Sequence, residues 1–188
     1  LNKEEGMICV MPLTPAVVLA AAIALLDEAA LDGFSTRKLA TRLGVQVGAL
    51  YWHYPSKRAL LDAVADHIVG EAHVAAIPDD DRLERAGAMI HALRNAMLAH
   101  ADGARLVAEM RAPGPAAWAY IERLRGLLTE AGMDSSTAER AADVLTSYLT
   151  GHAIEEQAHE LHQRAEADSR FAFGLNVVLA GLRTVPMA

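Results

Sequence analysis

Five cations, Arg37, Lys38, Arg42, Lys57 and Arg58, fall within residues 35–58, a stretch that holds no acidic residue. The same stretch carries Thr36, Gln46 and four consecutive ring side chains, Tyr51-Trp52-His53-Tyr54. Guanidinium and ammonium groups neutralise phosphates, while hydroxyl, amide and imidazole groups bond to phosphate oxygens or base edges. This set suits recognition of a polyanion better than the making of bonds. A second polar set, His152, Glu155, Glu156 and His159, has the i, i+3, i+4, i+7 spacing of one helix face. It reads as a metal site, a polar pocket wall or simply a wet face.

The parts needed for catalysis are missing. Cys9 is the one cysteine, which excludes an internal disulfide framework and fits a reducing compartment. Neither a Gly-x-Ser-x-Gly elbow nor a Gly-rich phosphate loop occurs. Glu156-x-x-His159 has the spacing of a di-iron helical bundle, but such a site needs two of these motifs and two further glutamates. No catalytic residue, resident metal or cofactor is expected. The longest apolar run, Ala16 to Leu26, has about half the roughly twenty residues of a membrane span. A cytoplasmic protein without a membrane partner is expected.

The elements that must position the cations read as helices. The chain is 53% hydrophobic but only 5% aromatic, and it is rich in Ala, Leu, Glu and Arg, which favours an all-α protein of about nine helices. Thr14-Pro15 starts a helix that reaches about Leu31 and stops at Asp32-Gly33, and Ser35 caps a short one from Thr36 to Leu43. Gly44 ends that helix in a left-handed turn, a third runs from Gln46 to His53, and Ser56 caps a fourth from Lys57 to about Ala75. The Pro and three Asp of residues 77–81 mark a boundary. Later helices are expected over 82–100, 103–110 and 116–131. A long one, capped by Ser136 or Thr137, runs to about Gln163, and the last spans 169–183. The domains that follow are a disordered leader over 1–12, a small helical unit over 13–75 and a larger bundle over 76–188.

Residues 36–53 meet the requirements of a helix-turn-helix. Ala40 is small where the two helices cross, Gly44 tolerates a positive φ, and Val45 and Leu50 anchor the second helix. Trp52 is expected to belong in part to the core of this small unit. The net charge of −7 does not argue against DNA, because phosphate meets a local footprint and not the total.

The runs FSTRKLATRLGV (34–45), ALYWHY (49–54) and KRALLDA (57–63) resemble the DNA-binding domain of the tetracycline-repressor (TetR) family over about residues 14–75. A weaker similarity to the family's regulatory domain runs through residues 100–104, 111–113 and 151–157. The resemblance implies a homodimeric DNA-binding regulator, most simply a repressor released from its operator by a small-molecule inducer. It implies that Thr36 and Arg37 touch DNA, with Arg37 on a guanine edge, and that Tyr51, His53 and Lys57 hold phosphates. The recognition helix opens with Gln46, and Val47-Gly48-Ala49 stand where the tetracycline repressor has Gln-Pro-Thr. A different operator is therefore expected.

His73 and Glu155 match positions that hold drug and magnesium in the family. Val107, however, stands where the metal-binding histidine would be, and an apolar side chain cannot ligate Mg²⁺. A largely apolar effector without metal is expected, with His100, Arg111 and Trp118 as further candidate contacts. The resemblance places the dimer interface on the last two long helices. The stripe Phe171, Leu175, Val178, Leu179 and Leu182, with the small apolar stretch 141–151, is the expected contact.

Overall fold

The computed structural model describes residues 12–72, 81–158 and 164–184. The expected leader and its Cys9, together with His73 and His159, lie outside them. The described residues form nine α-helices: α1 (Pro15–Gly33), α2 (Thr36–Leu43), α3 (Val47–Tyr51), α4 (Lys57–Gly70), α5 (Arg82–Ala99), α6 (Gly103–Ala108), α7 (Pro115–Glu130), α8 (Ser135–Ala158) and α9 (Arg164–Leu182).

The caps explain where most of them begin. Thr14 Oγ1 accepts from the Val17 amide at 3.3 Å, Ser35 Oγ from Lys38 at 3.2 Å and Ser56 Oγ from Ala59 at 3.0 Å. Each bond satisfies an amide that a helix start leaves without an internal partner. At α8 the cap is Asp134, not Ser136 or Thr137. Its Oδ1 accepts from both of their amides at 2.9 Å, since a carboxylate two or three residues upstream serves two donors at once.

Other boundaries differ from expectation too: α6 stops at Ala108, α9 begins at Arg164 instead of 169, and three more differences have a visible cause. α3 is shorter than Gln46–His53, because the His53 and Tyr54 amides both turn back to the Leu50 carbonyl at 3.0 Å. α4 ends at Gly70, where the Glu71 amide closes onto His67 and Ile68. α1 continues to Gly33 but kinks at Ala30, whose φ of 54° and ψ of 178° lie in a region normally left to glycine. Such a residue costs about 1–3 kcal/mol and persists only where its surroundings hold it. Here the amide freed by the kink, Leu31 N, donates to Asp102 Oδ2 at 2.7 Å.

The apolar faces close on one continuous core with a part in each half of the chain. Val18, Ala22, Leu26, Leu39, Ala40, Leu50, Leu60 and Val64 bury the interior of α1–α4. Ile90, Met97, Leu124, Leu128, Leu145, Leu149 and Phe171 do so for α5–α9. One charge lies inside the second part. Arg94 on α5, 4% exposed at its side chain, binds Glu156 of α8 and Asp168 of α9, each at 2.6 Å, and covers the Phe171 ring at 4.7 Å. A guanidinium presents enough donors to hold two carboxylates and a ring face together, so three helices are fixed by one side chain.

The stripe expected at the dimer interface is intrachain core. Phe171, Leu175, Leu179 and Leu182 are buried against the chain's own helices, and Val178 is half-buried. The free apolar face is displaced by two residues. Phe173 (72% exposed) and Val177 (56%) on α9 stand out to solvent, as does Val144 (51%) on α8. A helix of 3.6 residues per turn has room for both a buried and an outward stripe, and apolarity alone does not say which is which.

Gly44 carries φ 67° and ψ 29° and has open space around it. Its substitution therefore tests backbone conformation without steric overlap. Gly44→Ala should destabilise the chain by about 1–2 kcal/mol and Gly44→Asn by less, as read from urea unfolding.

Candidate nucleic-acid interface

α2, the turn at Gly44 and α3 form the helix-turn-helix. The Gly44 amide bonds the Thr41 carbonyl at 3.2 Å and the Val45 amide the Ala40 carbonyl at 3.0 Å, which closes α2 and aims the chain into α3. Leu50 is 2% exposed and pins α3 to the α1–α4 interior. With that side fixed, the opposite side must face out. Gln46 and Gly48 are exposed, Val47 and Ala49 half-buried, and Tyr51 is 44% exposed. Trp52 is not core at all: it is 89% exposed at the end of α3. Tyr54 takes the inward position instead, half-buried and donating its hydroxyl to the Pro15 carbonyl at 3.1 Å. Burial also raises its pKa above the usual tyrosine value. Four rings in one turn share the two sides of the chain, and the sequence did not say which of them turn inward.

The cationic window is thinner in space than in sequence. Arg42 makes a two-pronged pair with Glu28 of α1 at 2.6 and 2.7 Å. The hydrogen bonds from Arg42 hold the Glu28 carboxyl below its ordinary range. Arg58 is held by Asp62 one turn ahead at 2.6 Å and donates to the Glu109 carbonyl. Charges aimed outward come from Arg37 and Lys38, exposed on α2, and from Lys57 at the start of α4. The Lys38 ammonium donates to the Gly33 carbonyl at 2.8 Å. That of Lys57 donates to the Phe34 carbonyl at 3.1 Å and stands 5.3 Å from the Phe34 ring centroid. Thr36 is half-buried at the first turn of α2, and His53 half-buried just past α3.

Residues 18–64 match the model of "Bacterial regulatory proteins, tetR family", and residues 76–168 that of "Tetracyclin repressor-like, C-terminal domain". The tetracycline repressor protein class A from transposon 1721 of Escherichia coli is 43% identical over 148 residues, spanning 78% of this chain and 68% of that protein. The chain belongs to the TetR family. Among solved structures, a possible TetR family transcriptional regulator from Streptomyces coelicolor A3(2) superposes with a TM-score of 0.83 at 35% identity, over 92% of this chain and all of that one. A TetR variant from Acinetobacter baumannii AYE in complex with minocycline gives 0.81 at 35% identity, over 90% and 96% of the two chains. As a TetR-family member the protein is a DNA-binding transcriptional regulator and not an enzyme. No helix among the described residues is long and apolar enough to cross a membrane.

In this TetR-family chain α4 leads from the reading head, α1–α4, into the bundle, and two of its carboxylates face the segment between α6 and α7. Asp62, buried, accepts from Arg58 and from the Arg111 amide at 3.1 Å. Desolvation opposes its charge, but these donors outweigh it and hold its pKa below the ordinary value. Asp66, one turn on, accepts from the Ala116 and Ala117 amides at 3.3 and 2.8 Å and so caps α7. Gly114 lies so close to Asp66 that any side chain there would overlap the carboxylate. A cavity of about 780 Å³ opens beside these contacts, between Leu19 of α1, Ala59, Ala63 and Gly70 of α4, and the Ala112–Ala116 segment.

The effector contacts expected from sequence are not gathered around that cavity. Val107 packs half-buried on α6, Arg111 is exposed with its amide on Asp62, Trp118 is 56% exposed on α7, and Glu155 is exposed on α8. His100 lies between α1 and the end of α4, bonded to Asp27 and Glu71. Nothing local in the sequence signals that placement, since its partners lie 73 and 29 residues away. Among the described residues no group of three or more His, Cys, Asp or Glu could hold a metal ion.

Because Glu28 neutralises Arg42 beside the reading surface, Glu28→Gln should release a cation toward DNA. Binding to random duplex should tighten, and the slope of log affinity against log salt should steepen by up to about 0.9 per protomer. Fluorescence anisotropy at several salt concentrations measures both.

Proposed function

We propose that two copies of this chain hold their α3 helices in successive major grooves of an operator, and that a small, largely apolar effector releases them by displacing α4. The observation that carries the reading is the orientation of α3: Leu50 inward, Gln46, Gly48, Tyr51 and Trp52 outward, with Arg37, Lys38 and Lys57 exposed on the two helices that flank it in the chain. In this reading Arg37, with Thr36, reads a base edge from the start of α2. Tyr51, His53 and Lys57 hold phosphates, and Val47 and Ala49 offer only apolar contact, as to a thymine methyl.

Two α3 helices can engage one DNA face only if their spacing matches about one helical turn, roughly 34 Å, so the copies must be fixed to each other. The outward stripe of Phe173, Val177 and Val144 supplies an apolar surface for that contact. Small ligands act on such a pair only through different affinities for the DNA-competent and DNA-incompetent spacings. α4 belongs to the reading head and is bonded to the α6–α7 segment through Asp62 and Asp66, so a shift in the bundle reaches the head through it. Val107 offers no donor to a divalent ion, which supports an effector bound without one.

A duplex selected by this protein from a random-sequence library provides the operator for the test. Arg37→Ala should lose about tenfold or more on that duplex, in line with roughly 1–3 kcal/mol for a guanine contact, and change little on random DNA. Lys57→Ala should weaken both and flatten the salt slope by about 0.9 per protomer. Equal losses on both duplexes for Arg37→Ala would remove its reading role.

Phe173→Asp should leave the chain folded, because the side chain makes little intrachain contact. It should yield monomers in sedimentation equilibrium and weaken operator binding on the order of 10²-fold or more through lost bivalency.

A further inference from the structure

His100 ends α5 with its side chain only 13% exposed and both ring nitrogens on carboxylates. Nδ1 faces Asp27 of α1 at 3.2 Å, and Nε2 faces Glu71, at the end of α4, at 2.8 Å. A neutral imidazole has one N–H, so one of these contacts would set a lone pair against a carboxylate, whereas the imidazolium donates to both. Three elements thus meet on one ring: two from the reading head and one from the bundle.

Close to His100, the other bonds that cross from α1 to the bundle use backbone amides or a guanidinium as donors. The Ala101 amide donates to Asp27 at 3.1 Å, the Leu31 amide to Asp102 at 2.7 Å, and Arg105 of α6 pairs with Asp32 at 3.2 Å. Arg105 is also engaged by Glu109. From α4, His67 faces the other oxygen of Glu71 at 3.2 Å. From α8, the Gln157 amide donates to the His100 carbonyl at 2.8 Å and brings no charge.

We infer that His100 is a proton-operated latch between the reading head and the bundle: as an imidazolium it fixes α1 and the end of α4 to the α5–α6 turn, and on losing its proton it lets the head swing. The proton is then a second effector of operator binding, acting apart from any ligand in the bundle. Burial disfavours the charged ring, but the hydrogen bonds and charges of Glu71 and Asp27 outweigh it and raise its pKa above the usual histidine value. The sign follows from that direction. Latch stability is fully present below about 6.5, the unfolded value, and is lost as pH rises through the higher folded value. A loosened head loses its fixed spacing to its twin, so operator affinity falls toward alkaline pH.

The DNA arm rests on the reading of α3 given above, so the test includes an arm without DNA. First, protection factors of the Leu31 and Ala101 amides are measured by hydrogen exchange between pH 6 and 9, on the free protein. They should fall with pH in the wild type, and stay flat in Glu71→Gln and His100→Gln. Second, anisotropy on the selected duplex is followed over the same range in a His53→Gln background, which removes a histidine at the DNA surface. Affinity should drop at least about fivefold, the low end of ordinary allosteric coupling. Adding Glu71→Gln should abolish that drop, while His67→Gln should leave it.

Glu71 is a partly exposed side chain, so its amide variant keeps the fold even if the more buried His100→Gln does not. Unchanged protection across the range in the wild type would overturn the latch, as would a pH dependence that survives Glu71→Gln or disappears with His67→Gln. PH-dependent protection without pH-dependent DNA binding would keep the latch at the seam and overturn its role as an effector site.

Discussion

Asp62 and Asp66, one turn apart on α4, decide how the two halves of this molecule can move. Asp62 accepts the Arg111 amide from the segment joining α6 to α7 and also carries Arg58, while Asp66 accepts two amides from the first turn of α7. Buried acceptors that lose their donors cost far more than the modest net worth of a satisfied bond. Parting α4 from these donors is therefore costly at Asp62, and the end of α4 beyond them is left to the contacts of His100. In the proposed mechanism these bonds make α4 a lever, through which a displacement in the bundle reaches α1–α3. Gly114 belongs to the same device, since its missing side chain lets the loop come within bonding distance of Asp66.

Local rules in the sequence were enough for the helix-turn-helix. Ser35, Gly44 and Ser56 each act through neighbours within a few residues, so cap and turn were legible without the fold. What escaped was whatever depends on distant partners. Arg42 looked free until α1 brought Glu28 alongside it, and the pairing of His100 with Asp27 joins residues 73 apart. The face of α9 was misjudged for a different reason. Its sequence is apolar on two sides, and only packing against α5 and α8 shows that Phe171 faces inward and Phe173 outward. Ala30 gave no signal at all, since nothing about an alanine announces a conformation that glycine usually occupies.

The reading surface is sparing with charge. With Arg42 and Arg58 neutralised by their own chain, Arg37, Lys38 and Lys57 do most of the outward work on a protein whose net charge is −7. Few phosphate-facing cations mean a shallow dependence on salt and weak attachment to random DNA. The acidic remainder opposes indiscriminate adhesion to nucleic acid. Affinity for a chosen site must then come from shape and from base contacts, and those depend on how α3 and its twin are spaced.

The outward Phe173 stripe has a consequence for the cell and not only for the molecule. If the binding species is a pair, then at concentrations below its dissociation constant the amount of active regulator grows as the square of the amount of chain made. Halving gene dosage would cut occupancy by nearly fourfold in that range, whereas well above it the response becomes linear. If Phe173 and its neighbours make that contact, their grip sets whether the circuit this protein governs answers to its own expression as a threshold or as a dial.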